Sequence, residues 1–249
     1  MFSLPLAAAL GVLVLLTSFL SGIFGMAGGM ILMGVLVLLV PVAQAMVLQG
    51  VAQLASNGSR AFLWRRYVRW KCVRYYLLGA LLPLSVMALL AFRADKPTVL
   101  LALGLMPLVA MLLPASIRPN AERLGHGLMC GVVCASLQLL AGVSGPILDT
   151  FFTGSNMDRR QLVATKAAIQ TFGHLMKIAY FGRFVTFGGD GIPPLVLVAA
   201  VLLAVAGSKL SQRVLEAISD TQFRAWTQRL IISIALVYTC QGFWLLLHP

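Results

Sequence analysis

Four polar side chains share one face of an apolar segment in the second half of the sequence. In LVATKAAIQTFGHLMK, residues 162–177, a helix turning about 100° per residue places them within roughly 80° of one another; they are Lys166, Gln170, His174 and Lys177. Ammonium, amide and imidazole groups all donate hydrogen bonds, and no carboxylate accompanies them in this segment. This chemistry suits a small oxyanion better than a cation, a sugar or a lipid.

Composition places this polar face inside a membrane. The 249-residue chain is 60% hydrophobic and 10% charged, with a mean hydropathy of +0.94. A soluble domain needs far more polar surface, and segments able to cross about 30 Å of hydrocarbon recur along the whole chain. We therefore predict an all-α integral membrane protein, in which a lysine at the bilayer centre costs on the order of 3 kcal/mol and marks a functional site.

The net charge of +12 fits basic cytoplasmic loops better than nucleic-acid binding. The densest basic run, WRRYVRWKCVR, also carries tryptophan and tyrosine, which suit the membrane interface. We expect anionic lipid at the loop Arg65–Arg74. The four cysteines form no CxxC pair and no Cys/His cluster, so neither a metal site nor a disulfide framework is expected. We also expect no cofactor.

The sequence repeats itself after a shift of 117 positions, the spacing from Gly25 to Gly142, and residues 25–66 align with residues 142–183 without a gap. The polar face has a counterpart in the first half, because Gln49 aligns with Lys166, Gln53 with Gln170 and Asn57 with His174. Repeats of this size are typical of transporters. We predict two transmembrane repeats, residues 1–117 and residues 118–249.

Each predicted repeat has five segments, giving eight full transmembrane helices and two short segments in all. A long apolar helix ends at a glycine-rich break, a short apolar stretch and a polar-faced helix follow, and two plain helices complete the repeat. The short stretches are residues 30–40 and 147–153, the polar-faced helices are residues 43–63 and 160–182, and the plain helices are residues 76–93, 97–114, 192–208 and 224–247.

The distribution of lysine and arginine favours two inverted repeats. If the short stretches are re-entrant, eight of these residues lie on the side of the Arg65–Arg74 loop and seven lie opposite. If each stretch completes a crossing together with its break, twelve lie on the side of that loop and three lie opposite. The positive-inside rule prefers the second arrangement, which puts both chain ends outside.

The two breaks supply a second set of candidate substrate ligands. Inverted short helices that begin at mid-membrane would point their free N–H groups at one central anion. Close helix packing through small residues is the alternative role for the same glycines. Asp149, the acidic residue in GPILDTFF, pairs with Lys166 or Lys177, or carries a coupling proton; His174 is the other proton candidate. The break residues are Gly25, Gly28 and Gly29 in the first half, and Gly142, Ser144 and Gly145 in the second.

The stretches GIFGMAGGMIL, LLAGVSGPILDTFF and RRQLVATKAAIQTFGHLMKIAYFG resemble the TauE/SafE sulfite exporter family over nearly the whole chain. The resemblance implies a multi-pass protein of the bacterial inner membrane that moves sulfite, organosulfonates or sulfoacetate and is not an enzyme. Ser144-Gly145-Pro146 stands where the family typically has three glycines. The substrate contacts that the resemblance implies are Gly25, Gly28, Gly29, Gly142, Gly145, Lys166, Gln170, His174 and Lys177.

Two rival functions come from other classes. GVSG, residues 142–145, matches the GxSG motif of rhomboid intramembrane proteases, so Ser144 and His174 could form a catalytic dyad. Their repeat partners are Ala27 and Asn57, so only one half could be catalytic, which fits a transporter better. A passive anion channel is the other alternative.

Overall fold

The chain is helical throughout the part described by the structure, a computed structural model that covers residues 3–24, 26–114, 119–187, 191–217 and 220–248. Within these residues, ten α-helices are joined by loops and one 3₁₀ turn, Arg65–Tyr67. The all-α prediction is therefore confirmed. The helices are α1 Leu4–Phe24, α2 Met26–Leu39, α3 Val42–Leu63, α4 Trp70–Leu89, α5 Lys96–Leu112, α6 Leu124–Ala141, α7 Gly145–Thr150, α8 Arg159–Phe187, α9 Pro194–Ala217 and α10 Asp220–Leu247.

Five of the described helices are long and apolar enough to cross a membrane: α1, α4, α6, and the parts Pro194–Ser211 of α9 and Trp226–Leu247 of α10. The polar-faced helices α3 and α8 are also long, with 22 and 29 residues. α2 and α5 are shorter apolar helices of 14 and 17 residues, and α7 has 6. These lengths and compositions are those of a multi-pass membrane protein.

The two predicted breaks differ in shape. α6 ends at Gly142, whose φ of 78° is left-handed and whose N–H donates to the Gln138 carbonyl oxygen at 3.1 Å. This is the usual reason for a glycine at the end of a helix. In the first half the helix resumes at Met26, so Gly28 and Gly29 are helical, and the short stretch begins earlier than predicted.

Gly28 lies within α2 and packs closely against α1. A Cβ atom at this position would lie 2.5 Å from the backbone N of Ser21, so the glycine lets α2 pack closely on α1. The alternative interpretation of the breaks, helix packing through small residues, therefore applies at Gly28. Gly25, the predicted turn residue itself, lies outside the described residues.

Four helix pairs make the most extensive contacts: α3 with α8, α1 with α9, α4 with α6, and α5 with α10. The backbones of α4 and α6 come close where two glycines meet, since a Cβ on Gly131 would lie 2.9 Å from the Cα of Gly79. α3 and α8 approach similarly at Gly50, where a Cβ would lie 3.2 Å from Cε of Lys177. The two polar-faced helices are therefore direct neighbours.

The loop before α4 lies beside the start of α8. Arg69 Nη2 donates to Gln161 Oε1 at 3.1 Å, and Arg160 Nη1 donates to the Tyr67 hydroxyl at 3.3 Å. The Arg69 backbone N–H also donates to Thr165 Oγ1 at 2.9 Å. The basic loop of the first half and the basic start of α8 are therefore at the same end of the molecule.

The far end of α8 lies beside the loop between α4 and α5. The Tyr180 hydroxyl donates to the carbonyl oxygen of Phe92 at 2.6 Å. The guanidinium carbons of Arg93 and Arg183 lie 4.5 and 4.6 Å from the centre of the Phe184 ring. Arg93 and Arg183 therefore share the end opposite to the basic loop.

Candidate functional site

A small polar cavity lies where α3 and α8 face α2 and the break between α6 and α7. Its volume is about 20 Å³, which holds about one water molecule. Seven of its ten lining residues belong to the predicted site. The lining residues are Met26, Gly29, Gln49, Gln53, Gln138, Val143, Ser144, Gly145, Gln170 and His174.

The cavity is deep within the bundle. His174 is 4% exposed and lies on α8 between Arg160 and Arg183, which stand at opposite ends of the molecule. At 1.5 Å per residue, His174 is about 21 Å from the first arginine and about 14 Å from the second along the helix axis. These polar groups therefore lie at the depth of the hydrocarbon, where ionisable and amide side chains mark functional sites.

Gln138 organises the second-half side of the cavity. Its Nε2 donates to the Gly142 carbonyl oxygen at 3.2 Å and contacts Nδ1 of His174 at 2.8 Å. Its Oε1 accepts the Ser144 hydroxyl at 3.1 Å. A carbonyl oxygen can only accept, so the amide nitrogen must face Gly142, and the same NH₂ group then donates to His174. His174 Nδ1 therefore accepts, and the ring carries its hydrogen on Nε2.

Lys177 lies next to the residues that line the cavity, and its side chain is fully buried. Its Nζ donates to Gln49 Oε1 and, at 2.9 Å, to the carbonyl oxygen of Gly142. Gln49 in turn donates through Nε2 to the Gly29 carbonyl oxygen at 3.4 Å. The ammonium group is thus held by two neutral acceptors, and the Gln49 amide separates it from the cavity.

Gln53 and Asn57 form the corresponding pair on the first-half side. Asn57 Nδ2 donates to Gln53 Oε1 at 3.3 Å, while Gln53 Nε2 is buried without a hydrogen-bond partner among the described residues. A Cβ on Gly29 would lie 3.3 Å from this nitrogen. The Gln53 amide therefore presents a free N–H donor beside Gly29, and the hydrogen bond from Asn57 holds the amide in this orientation.

Lys166 occupies a different place. It forms an ion pair with Asp149, one of the two pairings that the sequence predicted, and the two side chains are 25% and 38% exposed. Asp149 lines a second cavity, of about 400 Å³, formed by residues of α2, α5, α7 and α10. Met26 lines both cavities.

The structure brings most of the predicted site together, with specific exceptions. Gln49, Gln53, Gln170, His174 and the break residues Gly29, Ser144 and Gly145 line the central cavity. Asn57, Gly142 and Lys177 support it from behind, while Gly28 packs on α1 and Lys166 faces Asp149.

Three lining residues are absent from the predicted site: Met26, Gln138 and Val143. Gln138 carried a usable signal, because it is an amide in an apolar helix one turn before a predicted break. Met26 and Val143 gave none, since an apolar residue in an apolar chain is indistinguishable from lipid-facing or core residues.

The hydrogen bonds of Ser144 do not fit a protease dyad. Ser144 donates to Gln138 Oε1, and His174 Nδ1 is bound by the same Gln138 amide. A serine nucleophile needs its hydroxyl hydrogen directed at the histidine that removes it. The arrangement therefore does not favour the intramembrane protease.

Comparison with known proteins identifies a family. The family model described as Sulfite exporter TauE/SafE matches residues 10–238 of this chain. No curated protein and no solved structure matched the chain.

Proposed function

The chain belongs to the TauE/SafE sulfite exporter family, and we propose that it is a secondary transporter of a small sulfur-containing anion. Family membership implies anion export across a membrane. The substrate is sulfite or an organosulfonate, and transport proceeds by alternating access around the central cavity. The protein lies in the bacterial inner membrane.

The observation that carries the proposal is the buried Lys177 behind a cavity lined by hydrogen-bond donors. Its ammonium group is held only by neutral oxygens in the described structure, so its charge is not cancelled by a carboxylate. An anion in the cavity would complete this charge balance. Free donors from Gln53 and His174 suit the oxygen atoms of the same anion.

The helix pairing supports two repeats, residues 1–117 and 118–249. The shift of 117 residues maps α1 to α6 and α3 to α8, and the order of the remaining helices in each half pairs α4 with α9 and α5 with α10. This exchange converts the α1–α9 pair into the α6–α4 pair and leaves the α3–α8 and α5–α10 pairs unchanged. A two-fold relation between the halves, as in inverted-repeat transporters, produces this pattern.

The positions of the loops support short segments that complete a crossing. The Ala121 N–H donates to the carbonyl oxygen of Phe151 at 2.9 Å, so the chain after α7 returns to the end where α6 begins. A re-entrant segment would instead return to the end where α6 finishes. Arg183 lies beside Arg93 rather than beside the basic loop, which the crossing arrangement also requires.

The closed state of the centre supports alternating access. A cavity of about 20 Å³ is too small for an anion with four or more heavy atoms, so substrate entry requires the surrounding helices to move. The 400 Å³ cavity shares Met26 with the central cavity and is lined by Asp149, so we assign it as the access route. We assign Asp149 the coupling proton, with His174 as the second candidate.

The basic loop Arg65–Arg74 is proposed to lie at the cytoplasmic surface on anionic lipid. Trp64, Tyr67 and Trp70 are each exposed by more than a third, as expected for side chains of the interfacial belt.

Flux measurements in proteoliposomes test the proposal. Purified protein is reconstituted and preloaded with unlabelled sulfite, methanesulfonate, sulfoacetate or acetate, and entry of the labelled anion is followed. A transporter gives transient accumulation by exchange for at least one sulfur oxyanion. A monotonic approach to equilibrium would instead indicate a channel. Cleavage of a transmembrane peptide that Ser144→Ala abolishes would favour the protease.

A further inference from the structure

Three glutamines and the histidine that line the central cavity have one feature in common. The acceptor atom of each side chain already receives a hydrogen bond from a neighbouring residue. Gln49 Oε1 accepts from Lys177, and Gln53 Oε1 accepts from Asn57. Gln138 Oε1 accepts from Ser144, and Gln138 itself occupies Nδ1 of His174.

An amide oxygen has a second lone pair, but the groups of these residues that have no partner at all are donors. Gln53 Nε2 is unpartnered, and the side chain is 6% exposed. His174 keeps Nε2–H, and Gln49 keeps the second hydrogen of an amide whose first is directed at Gly29. Among the lining side chains, Ser144 and Gln170 have an oxygen that no described residue donates to.

We propose that this cavity selects oxyanions that carry no hydrogen on oxygen, and that Asn57, Gln138 and Lys177 are the positioning residues that set this preference. The inference rests on the proposed function and narrows its substrate class. A ligand O–H group that faces N–H donors loses its own hydrogen bond and blocks one of theirs, so the site rejects it. Sulfonates and fully ionised sulfite fit, whereas hydrogen phosphonates do not.

Matched pairs of anions test the proposal without any mutation. Methanesulfonate and the methylphosphonate monoanion have the same charge and nearly the same shape, and differ by one O–H group. Ethanesulfonate with ethylphosphonate, and taurine with 2-aminoethylphosphonate, extend the comparison to longer chains. Exchange in proteoliposomes is measured at a pH that keeps each phosphonate group singly protonated.

We expect the sulfonate to be transported at least about tenfold better in the pair that is transported best, since Ser144 and Gln170 can offset only part of the mismatch. Equal transport of both members would overturn this inference and leave the proposed function standing. Transport of no member of any pair, and of no sulfite at a pH where sulfite is fully ionised, would overturn the proposed function and the inference with it.

Asn57→Asp tests the positioning role directly. A carboxylate at this position only accepts, so Gln53 must turn Nε2 towards it and present Oε1 to the cavity. We expect the sulfonate preference to fall at least about threefold in this variant. Asn120→Asp is the matched control, because Asn120 Oδ1 already accepts from the Glu122 N–H at 2.8 Å. An unchanged preference for the sulfonate in a folded Asn57→Asp protein would overturn the role of Asn57. If this variant does not fold, the transport of the matched anions by the wild-type protein tests the proposal.

Discussion

Replacing Lys177 by methionine should weaken anion binding more than any other single change of charge in the described part of the chain. Methionine keeps an unbranched apolar stem and removes the ammonium group. Lys177 is fully buried, and in the described structure its ammonium is held by Gln49 and Gly142 rather than by a carboxylate. Its charge therefore acts on the cavity with little screening by solvent.

The magnitude follows from the position of Gln49. An anion on the cavity side of this amide lies two hydrogen bonds and one amide width from Nζ of Lys177, or about 8 Å. At an effective dielectric constant of about 20, two unit charges at this distance attract each other by about 2 kcal/mol. Since about 1.4 kcal/mol corresponds to a factor of ten, we expect about 30-fold weaker binding.

The assay is the concentration of labelled anion that gives half-maximal exchange in proteoliposomes, together with the melting temperature of the purified variant. Lys166→Met is the matched control: the charge of Lys166 is already balanced by Asp149 and partly exposed, so its loss should cost at most about fivefold. An unchanged half-maximal concentration in a stable Lys177→Met protein would refute the electrostatic role of Lys177.

Three further predictions concern the proton, a helix cap and a helix contact. Asp149→Asn should abolish the response of uptake to an imposed pH gradient, and a retained response would exclude Asp149 as the proton carrier. Asp95→Ala should lower the free energy of unfolding by about 1 kcal/mol at neutral pH, because Asp95 caps α5 by accepting the Thr98 N–H at 2.9 Å. Hydrogen bonds from the Thr98 side chain and backbone lower the pKa of Asp95. The stabilisation by Asp95 is therefore present above about pH 4 and is lost as the pH falls through the lowered pKa. Thermal unfolding of wild type and variant across pH checks the size of the stabilisation and its loss in acid. Gly131→Leu should prevent stable packing of α4 on α6, because a Cβ at this position would lie 2.8 Å from a backbone nitrogen of α4. Gly125→Leu is the control, since a Cβ there meets nothing within 4 Å. Equal yields of the two purified variants would contradict this prediction.

Periodicity and composition were sufficient to predict the all-α class and the approximate ranges of most helices. α3 spans Val42–Leu63 where residues 43–63 were predicted, because Pro41 marks its start and the basic loop marks its end. The polar face on α8 was equally visible, since an ionisable side chain in an apolar segment needs a reason. These signals are local, so they can be recognised without knowledge of the tertiary structure.

Contacts between distant segments set what the sequence could not predict. Gly28 and Gly145 occupy matching positions in the repeat, yet the first packs on α1 and the second lines the cavity. Lys166 and Lys177 lie on the same helical face, yet Lys177 is fully buried, whereas Lys166 pairs with Asp149 of α7 and is partly exposed. The role of Gln138 depends on three partners that come together only after folding.

Filling the cavity beside Gly29 is the most direct test of whether the anion passes through it. A Cβ on Gly29 would already lie 3.3 Å from the Gln53 amide, so Gly29→Leu places its side chain in a space of about 20 Å³. The measurement is the initial rate of sulfite or sulfonate exchange in proteoliposomes that contain equal amounts of Gly29→Leu or Gly125→Leu protein. We expect exchange to be lost with leucine at position 29 and to stay near the wild-type rate with leucine at position 125; wild-type exchange by Gly29→Leu would contradict passage of the anion through this cavity.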